Sequence, residues 1–186
     1  MKKVLVVSGH PDLKSSLVNA TILAEFEKNL SGVEIRKLDE LYPDYKFDVA
    51  AEQKALESAD VIIFQYPFHW YDVPGILKLY IDKIMLHSWA YGSKGNALKD
   101  KIFIASTTVG AGEENYSEGG AFNHKVEDFV YNLKQFAALC KMDFKKFFYM
   151  CGSMYVPGVS SDEDKNNLLE KSKNQAKNII DFVKGL

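Results

Sequence analysis

The chain has 186 residues, 47% of them hydrophobic and 26% charged, and its formal net charge is -2. The high apolar fraction and the small net charge exclude an intrinsically disordered chain. The composition also lacks the basic surface by which proteins bind nucleic acid or anionic membranes, so we expect neither as a direct partner.

The hydrophobic pattern alternates between short apolar runs, typical of buried strands, and stripes at helical spacing. It predicts strands over 4–7, 33–38, 61–64, 102–105 and 147–150, and helices over 19–30, 49–58, 77–85, 122–140 and 161–183. Asp48 and Ser161 are expected to cap the second and the last of these helices. The alternation predicts an α/β fold, a five-stranded parallel sheet with helices on both faces, and a single domain over residues 1–186.

Ligands of open parallel sheets bind beyond the carboxyl ends of the strands. This rule singles out three loops, over 8–18, 65–73 and 106–120. In the first loop, Gly9 permits a tight departure from the strand, and Ser15 and Ser16 place hydroxyls beside the free amides of a helix start. A helix N-terminus favours anions, so this loop is a candidate phosphate cradle. An ordinary turn with a serine cap is the alternative.

The second loop concentrates aromatic residues where the fold predicts a ligand. Pro67 and Pro74 stiffen the loop, and Trp70 and Tyr71 lie beyond the strand end. Aromatic rings held by a rigid loop can stack on a flat ligand, whereas the alternative is that they fill the core or a subunit interface. His69 fits the rim of such a site.

The third loop follows a buried strand and contains Thr107, Thr108 and Gly110, whose hydroxyls and exposed amides can bond the polar edge of a heterocycle. The segment over 113–120 is a candidate rim and includes Tyr116, which could equally be a solvated loop residue. The four histidines lack the spacing of metal ligands, so no metal site is expected.

The number of cysteines and the length of the apolar runs predict the compartment. Cys140 and Cys151 are too few for a disulfide framework, and we expect reduced thiols. The apolar run after the charged start ends too soon for a signal peptide, and no stretch approaches the roughly 18 to 20 apolar residues of a membrane span. A cytoplasmic protein is therefore expected.

Several segments of this chain form recognisable motifs, namely Ser8-Gly9-His10-Pro11, Leu41-Tyr42-Pro43-Asp44, Ala51-Glu52-Gln53, Phe64-Gln65-Tyr66-Pro67-Phe68-His69-Trp70-Tyr71, Pro74-x-x-Leu77-Lys78, His87-x-Trp89-Ala90-Tyr91-Gly92 and Thr107-Thr108. These motifs resemble those of the flavodoxin-like NAD(P)H:quinone oxidoreductases. The short chain and the Trp-Ala-Tyr-Gly stretch resemble in particular the bacterial ancillary reductases of glutathione-gated potassium-efflux systems.

The resemblance implies a flavodoxin-like fold and a homodimer that binds a flavin at the dimer interface. Residues implied to hold the flavin phosphate and ribityl chain are His10, Ser16, Leu17 and Val18. Residues implied to line the isoalloxazine ring are Pro67, Phe68, His69, Trp70 and Tyr71. Thr107, Thr108 and Gly110 would meet the polar edge of the ring, and Tyr116 would lie near the flavin O2.

The implied reaction is two-electron reduction of a quinone, or of another small aromatic acceptor, by NAD(P)H. It would follow a ping-pong route through flavin N5, with His69 and Tyr116 as the catalytic residues. His69 stands where vertebrate members carry glutamine, and Val109 stands where relatives often carry glycine. The long C-terminal extension of the vertebrate members is missing, which favours FMN over FAD. The alternatives are a regulatory subunit docked on a potassium-efflux antiporter, peripheral to the inner membrane, and a flavodoxin-type one-electron carrier.

Overall fold

The computed structural model describes residues 2–186. Its centre is a five-stranded, all-parallel sheet of order β2-β1-β3-β4-β5, which confirms the predicted fold class. The strands are β1 (Val4–Ser8), β2 (Glu34–Lys37), β3 (Val61–Pro67), β4 (Ile102–Thr108) and β5 (Asp143–Met150).

Six α-helices connect or follow the strands. They are α1 (Leu17–Asn29), α2 (Leu38–Leu41), α3 (Val49–Ser58), α4 (Gly75–Ile84), α5 (Tyr131–Leu139) and α6 (Asp162–Lys184). Short 3₁₀ helices cover Leu13–Ser15, Glu113–Asn115 and Val126–Val130. None of the helices over 2–186 combines the length and the apolar character that a membrane crossing requires.

The sheet has an apolar layer on each face, as expected when parallel strands are covered by helices. Val6 and Ile63 belong to the cluster under α1 and α6. Val7 and Phe64, one residue later on the same strands, belong to the cluster under α3, α4 and α5. Successive side chains of a strand point to opposite faces, so each strand contributes to both layers.

The chain reverses direction across the sheet at β1, because β2 lies on one side of it and β3 on the other. β1 and β3 run in register from Val4 and Val61 to Ser8 and Gln65. β4 continues this register to Thr108, which pairs with Pro67. The carboxyl ends of β1, β3 and β4 therefore meet at one edge, and the gap beside β1 is the position where such sheets bind ligands.

Both predicted helix caps are present. The Asp48 carboxylate accepts a hydrogen bond from the Ala51 N–H at 3.0 Å. Ser161 forms a capping box with Asp164, in which the Asp164 N–H donates to the Ser161 hydroxyl at 3.1 Å and the Ser161 N–H donates to the Asp164 carboxylate at 2.9 Å. Each bond satisfies an N–H that the helix itself leaves without a partner.

The predicted helix over 122–140 is wrong in its first half. The chain forms a 3₁₀ helix over Val126–Val130 and an α-helix only from Tyr131. Phe122 precedes both and packs its ring against Tyr116, with 4.9 Å between the ring centroids. Phe122 is spaced from the apolar residues of the following helices as a helical residue would be, but it is apolar because it packs on another loop.

Candidate functional site

A cleft of about 270 Å³ opens where β1, β3 and β4 end. Its walls come from the segment after β1, the start of α1, the loop after β3, the end of β4 and the segment after β5. The lining residues are His10, Ser15, Ser16, Leu17, Val18, Asn19, Pro67, Phe68, His69, Thr108, Gly110, Ser153, Met154 and Tyr155.

One end of the cleft is the N-terminus of α1, which we call the anion end. Ser16 caps this helix, and its hydroxyl accepts a hydrogen bond from the Asn19 N–H at 3.2 Å. The N–H groups of Leu17 and Val18 lie in the first turn, where an α-helix offers no internal acceptor. These donors and the positive end of the helix dipole suit a phosphate group.

His10 stands between the anion end and the loop after β3. Its Nδ1 accepts a hydrogen bond from the Asp12 N–H at 3.0 Å, so the neutral ring carries its proton on Nε2. Its ring meets that of His69 edge-on, with 6.5 Å between the centroids. Burial and, secondarily, the neighbouring His69 lower the pKa of His10, while burial lowers the pKa of His69.

The loop after β3 turns sharply at Trp70 and Tyr71. His69 and Asp72 exchange two backbone hydrogen bonds of 3.1 and 3.0 Å around them. Both central residues have a positive φ, 51° at Trp70 and 65° at Tyr71, as in a type I′ turn. Bulky residues adopt this conformation at a cost in free energy. The turn leaves the Trp70 side chain 93% exposed and outside the cleft lining.

Five rings form an aromatic cluster beside the cleft: Phe68, Tyr71, Tyr116, Phe122 and Phe129. Phe129 is central, with ring centroids 5.5 Å from Phe68 and 5.4 Å from Tyr71. Phe68 also lines the cleft, so the cluster supports one wall at what we call the ring end.

Tyr116 belongs to this cluster. The alternative prediction, that Tyr116 is a solvated loop residue, is wrong. It is 8% exposed, and its ring centroid lies 6.2 Å from that of Phe68. Burial and then the neighbouring Tyr71 raise the pKa of Tyr116, which keeps its phenol protonated at neutral pH. Thr107 is fully buried in β4, and its hydroxyl has no hydrogen-bond partner among the described residues.

The structure brings most of the predicted site residues together at the cleft. Those that line it are His10, Ser16, Leu17, Val18, Pro67, Phe68, His69, Thr108 and Gly110. Trp70, Tyr71, Thr107 and Tyr116 lie outside the lining. The sequence reasoning missed Asn19 and the segment after β5, namely Ser153, Met154 and Tyr155. The signal for that segment was the strand rule itself, since β5 ends at the same edge as β4.

A family model described as flavodoxin-like fold matches residues 2–179. The chain belongs to the flavodoxin-like fold family. This membership and the sheet order confirm the predicted flavodoxin-like fold.

The chain is also similar in sequence to two curated proteins of the same name. The chain is 47% identical over 116 residues to the glutathione-regulated potassium-efflux system ancillary protein KefF of Enterobacter sp. (strain 638). The KefF of Citrobacter koseri matches at the same 47% identity over 116 residues. In each case the match covers 62% of this chain and 65% of the relative, just under two thirds of its length.

Solved structures of similar fold cover nearly the whole chain. The general stress protein 14 of Treponema denticola, solved in complex with FMN, has a TM-score of 0.86 and 27% identity over 96% of this chain and 98% of its own. An NADPH-quinone reductase from P. pentosaceus has a TM-score of 0.76 and 25% identity over 95% of this chain and 98% of its own.

Proposed function

We propose that this chain is a flavin-dependent NAD(P)H:quinone oxidoreductase that binds FMN. One observation carries the proposal. A helix N-terminus and an aromatic wall lie in the same cleft, at the point where the strand order of the sheet reverses. Flavodoxin binds FMN at the corresponding point of its sheet. The FMN-bound stress protein and the NADPH-quinone reductase among the similar structures support the choice of cofactor and reaction.

The residues of the cleft fit FMN in their chemistry. The Leu17 and Val18 N–H groups and the Ser16 hydroxyl would hold the phosphate, with His10 beside them. The side chains implied to contact the ring are Pro67, Phe68 and His69, with Thr108 and Gly110 at its polar edge. The FMN bound to the similar stress protein supports FMN rather than the alternative FAD.

Four residues would act from outside the cleft lining of one chain. We propose that Trp70 and Tyr71 complete the ring site, that Thr107 supports its polar edge and that Tyr116 acts near the flavin O2. The Thr107 hydroxyl is buried and has no hydrogen-bond partner within residues 2–186, so it retains an unused hydrogen bond. The exposed Trp70 ring is available to a ligand shared between two subunits.

The chemistry that FMN would supply when held by these residues is two-electron transfer in a ping-pong order, from NAD(P)H through N5 to a quinone or another small aromatic acceptor. To this reaction the chain itself would contribute a flat binding slot and two polar side chains, Tyr116 and His69. Tyr116 stays protonated and would donate a hydrogen bond where negative charge develops. His69 is neutral at neutral pH because burial lowers its pKa, and it would orient the acceptor at the rim of the cleft.

We further propose that the chain is one domain over 1–186 and forms a homodimer. Exposed aromatic residues beside the cleft support a dimer, because large apolar side chains in water mark interaction surfaces. Trp70 is 93% exposed and Tyr131 is 64% exposed. The two lie near each other, since the Asn132 amide donates to the Asp72 carboxylate at 2.6 Å. Light scattering of the purified chain should give twice the chain mass, and Trp70→Lys should reduce it toward one chain.

The central test is reconstitution with flavin. Purified protein should bind FMN and, once loaded, should oxidise NAD(P)H in the presence of a benzoquinone. Initial-rate plots at several quinone concentrations should be parallel, as a ping-pong order requires. A folded chain that binds neither FMN nor FAD would contradict the proposal. So would efficient one-electron exchange with an iron–sulfur protein without oxidation of NAD(P)H.

A second role, as a cytoplasmic regulatory subunit docked on a potassium-efflux antiporter, is supported by the 47% identity to KefF. The two roles are compatible, since a docked subunit can also be a reductase. Tagged chain should retain a co-expressed antiporter of that class during purification in mild detergent. An antiporter recovered equally well with an untagged chain would contradict this role and leave the proposed reaction untouched.

A further inference from the structure

Three neighbouring strands change from apolar to polar at the same level of the sheet. Ser8, Gln65 and Ser106 are register partners on β1, β3 and β4, and all three are fully buried. Two residues earlier, where side chains point to the same face, the strands carry Val6, Ile63 and Ile104. A buried polar row thus lies under the start of α1, directly beneath the cleft.

Asn19, in the first turn of α1, connects this row to the cleft. It is 2% exposed. Its Oδ1 accepts a hydrogen bond from Gln65 Nε2 at 2.9 Å. Its Nδ2 donates to the Thr108 hydroxyl at 2.9 Å and to the Ser16 hydroxyl at 3.3 Å. One side-chain amide therefore contacts β3, β4 and the N-cap of α1.

The row is a poor device for stability alone. The Ser8 and Ser106 hydroxyls and Gln65 Oε1 are buried without a hydrogen-bond partner among the described residues. Unsatisfied polar groups in the interior oppose folding, and apolar residues at these positions would avoid that cost. A buried polar network does, however, fix one geometry, because its bonds are directional and strong in a low dielectric.

The two hydroxyls that Asn19 contacts belong to different walls of the cleft. Ser16 belongs to the anion end, where it caps α1. Thr108 ends β4 and lines the cleft, and its backbone carbonyl accepts a hydrogen bond of 2.9 Å from the N–H of Phe68, the residue of the aromatic cluster that lines the cleft. Asn19 therefore connects the anion end to the strand end that holds Phe68. A ligand with a phosphate at one end and a ring at the other gains from both sites only if their spacing is fixed.

We propose that Asn19 is a positioning residue that holds the anion end and the ring end at the spacing that FMN requires. The proposal rests on the proposed function. Its consequence is specific: Asn19 matters for a ligand that spans both ends and matters little for one that occupies the ring end alone. FMN is the first kind of ligand, and riboflavin, which lacks the phosphate, is the second.

The test compares the affinities of FMN and riboflavin for the wild-type chain, Asn19→Leu and Asn19→Ala, by quenching of flavin fluorescence. Leucine has the branched shape of asparagine and the same number of side-chain heavy atoms, without its hydrogen bonds. Alanine suits a helix if leucine prevents folding. We expect FMN binding to weaken about tenfold or more, the effect of losing one to two net hydrogen bonds, and riboflavin binding to stay within about threefold.

Ser172→Ala is the matched control. Ser172 is a fully buried polar residue of α6 whose hydroxyl donates to the Leu168 carbonyl at 2.6 Å, and it is not part of the cleft lining. It should leave the ratio of the two affinities unchanged. The proposal is overturned if Asn19→Ala leaves the FMN-to-riboflavin ratio unchanged, or if Ser172→Ala alters it as much. A wild-type chain that binds neither flavin overturns the proposed function, and this inference with it.

Discussion

The two ends of the cleft are built from different kinds of contact. The anion end consists of backbone amides and short polar side chains. Two hydrogen bonds of 2.9 Å fix it to the sheet, one from Gln65 to the Asn19 side chain and one from the Asn19 side chain to Thr108. The ring end consists of aromatic side chains that pack on one another, with centroids 4.9 to 6.4 Å apart. Only Phe68 of that cluster reaches the cleft lining.

This difference indicates that the two ends have different functions. Hydrogen bonds weaken steeply with distance and angle, so the anion end has one geometry and suits one permanent ligand. Aromatic packing is less directional, so the ring end can adjust to flat molecules of different outline. This combination suits a cofactor that stays bound at one end while electron donors and acceptors replace one another at the other end.

The largest effect should come from Phe129→Ala at the ring end. Phe129 is half-buried and contacts Phe68, Tyr71 and Tyr116, so its removal leaves three rings without their common support. We expect a loss of about 2 kcal/mol in the free energy of unfolding, since the ring is only partly enclosed. Quinone turnover should fall while FMN affinity changes little. Denaturant titration and steady-state kinetics measure the two effects.

Phe182→Ala is the control for Phe129→Ala. Phe182 is a half-buried aromatic residue of α6 that packs on Phe148, with 5.6 Å between the ring centroids, and it does not line the cleft. It should destabilise the fold to a similar extent without slowing turnover once FMN is bound. Equal loss of turnover in both variants would indicate that the aromatic cluster serves stability only.

Tyr116→Phe should act on turnover and leave the fold intact. The ring, which packs against Phe68 and Phe122, is retained and only the hydroxyl is lost. If the phenol donates to developing charge, kcat should fall about tenfold, equivalent to about 1.4 kcal/mol. Tyr149→Phe is the matched control, because the Tyr149 hydroxyl bonds Glu127 at 2.7 Å outside the cleft lining. Unchanged kcat in Tyr116→Phe would remove its assigned role.

At the anion end, Ser16→Ala should weaken both a helix cap and FMN binding. We expect a loss of about 1 kcal/mol in the free energy of unfolding, as for other N-caps. FMN affinity should also fall about tenfold, since the hydroxyl is one of the proposed phosphate donors. Asp48→Ala removes the cap of α3, far along the chain, and should reproduce the first effect alone. An equal loss of FMN affinity in both variants would contradict the assignment.

The sequence predicted the anion end better than the ring end, for a physical reason. A strand followed by Gly9 and a serine-capped helix specifies its own geometry, because each element is local. The prediction erred only in starting α1 at residue 19, whereas the helix begins at Leu17. Asn19 escaped notice because its partners, Gln65 and Thr108, lie 46 and 89 positions away, and sequence periodicity carries no information on such contacts.

The ring end depends on contacts between segments, which a single sequence does not specify. The richness of loop 65–73 in aromatics identified the region but not the direction of each ring. Trp70 faces solvent and Tyr71 joins Phe129, a difference set by two positive φ angles that these residue types rarely adopt. Phe122 was assigned to a helix because its spacing from the following apolar residues fits helical periodicity. In the structure Phe122 lies in a loop and packs on Tyr116, a contact that periodicity does not reveal.

The smallest predicted effect is a pH dependence located at the anion end. Burial and His69 lower the pKa of His10 below its ordinary value of 6.5, so the unfolded chain takes up a proton there before the folded chain does. As the pH falls below about 6.5, the unfolded state is therefore favoured, and stability declines until His10 titrates in the fold as well. His10→Asn should reduce the slope of the unfolding free energy over this window and leave the part that His69 contributes, because burial lowers the pKa of His69 as well. Denaturant titrations between pH 7.5 and 5 measure the slope. A slope that His10→Asn leaves unchanged would mean that the imidazole is as well solvated in the fold as in the unfolded chain, and this would contradict its burial beside the anion end.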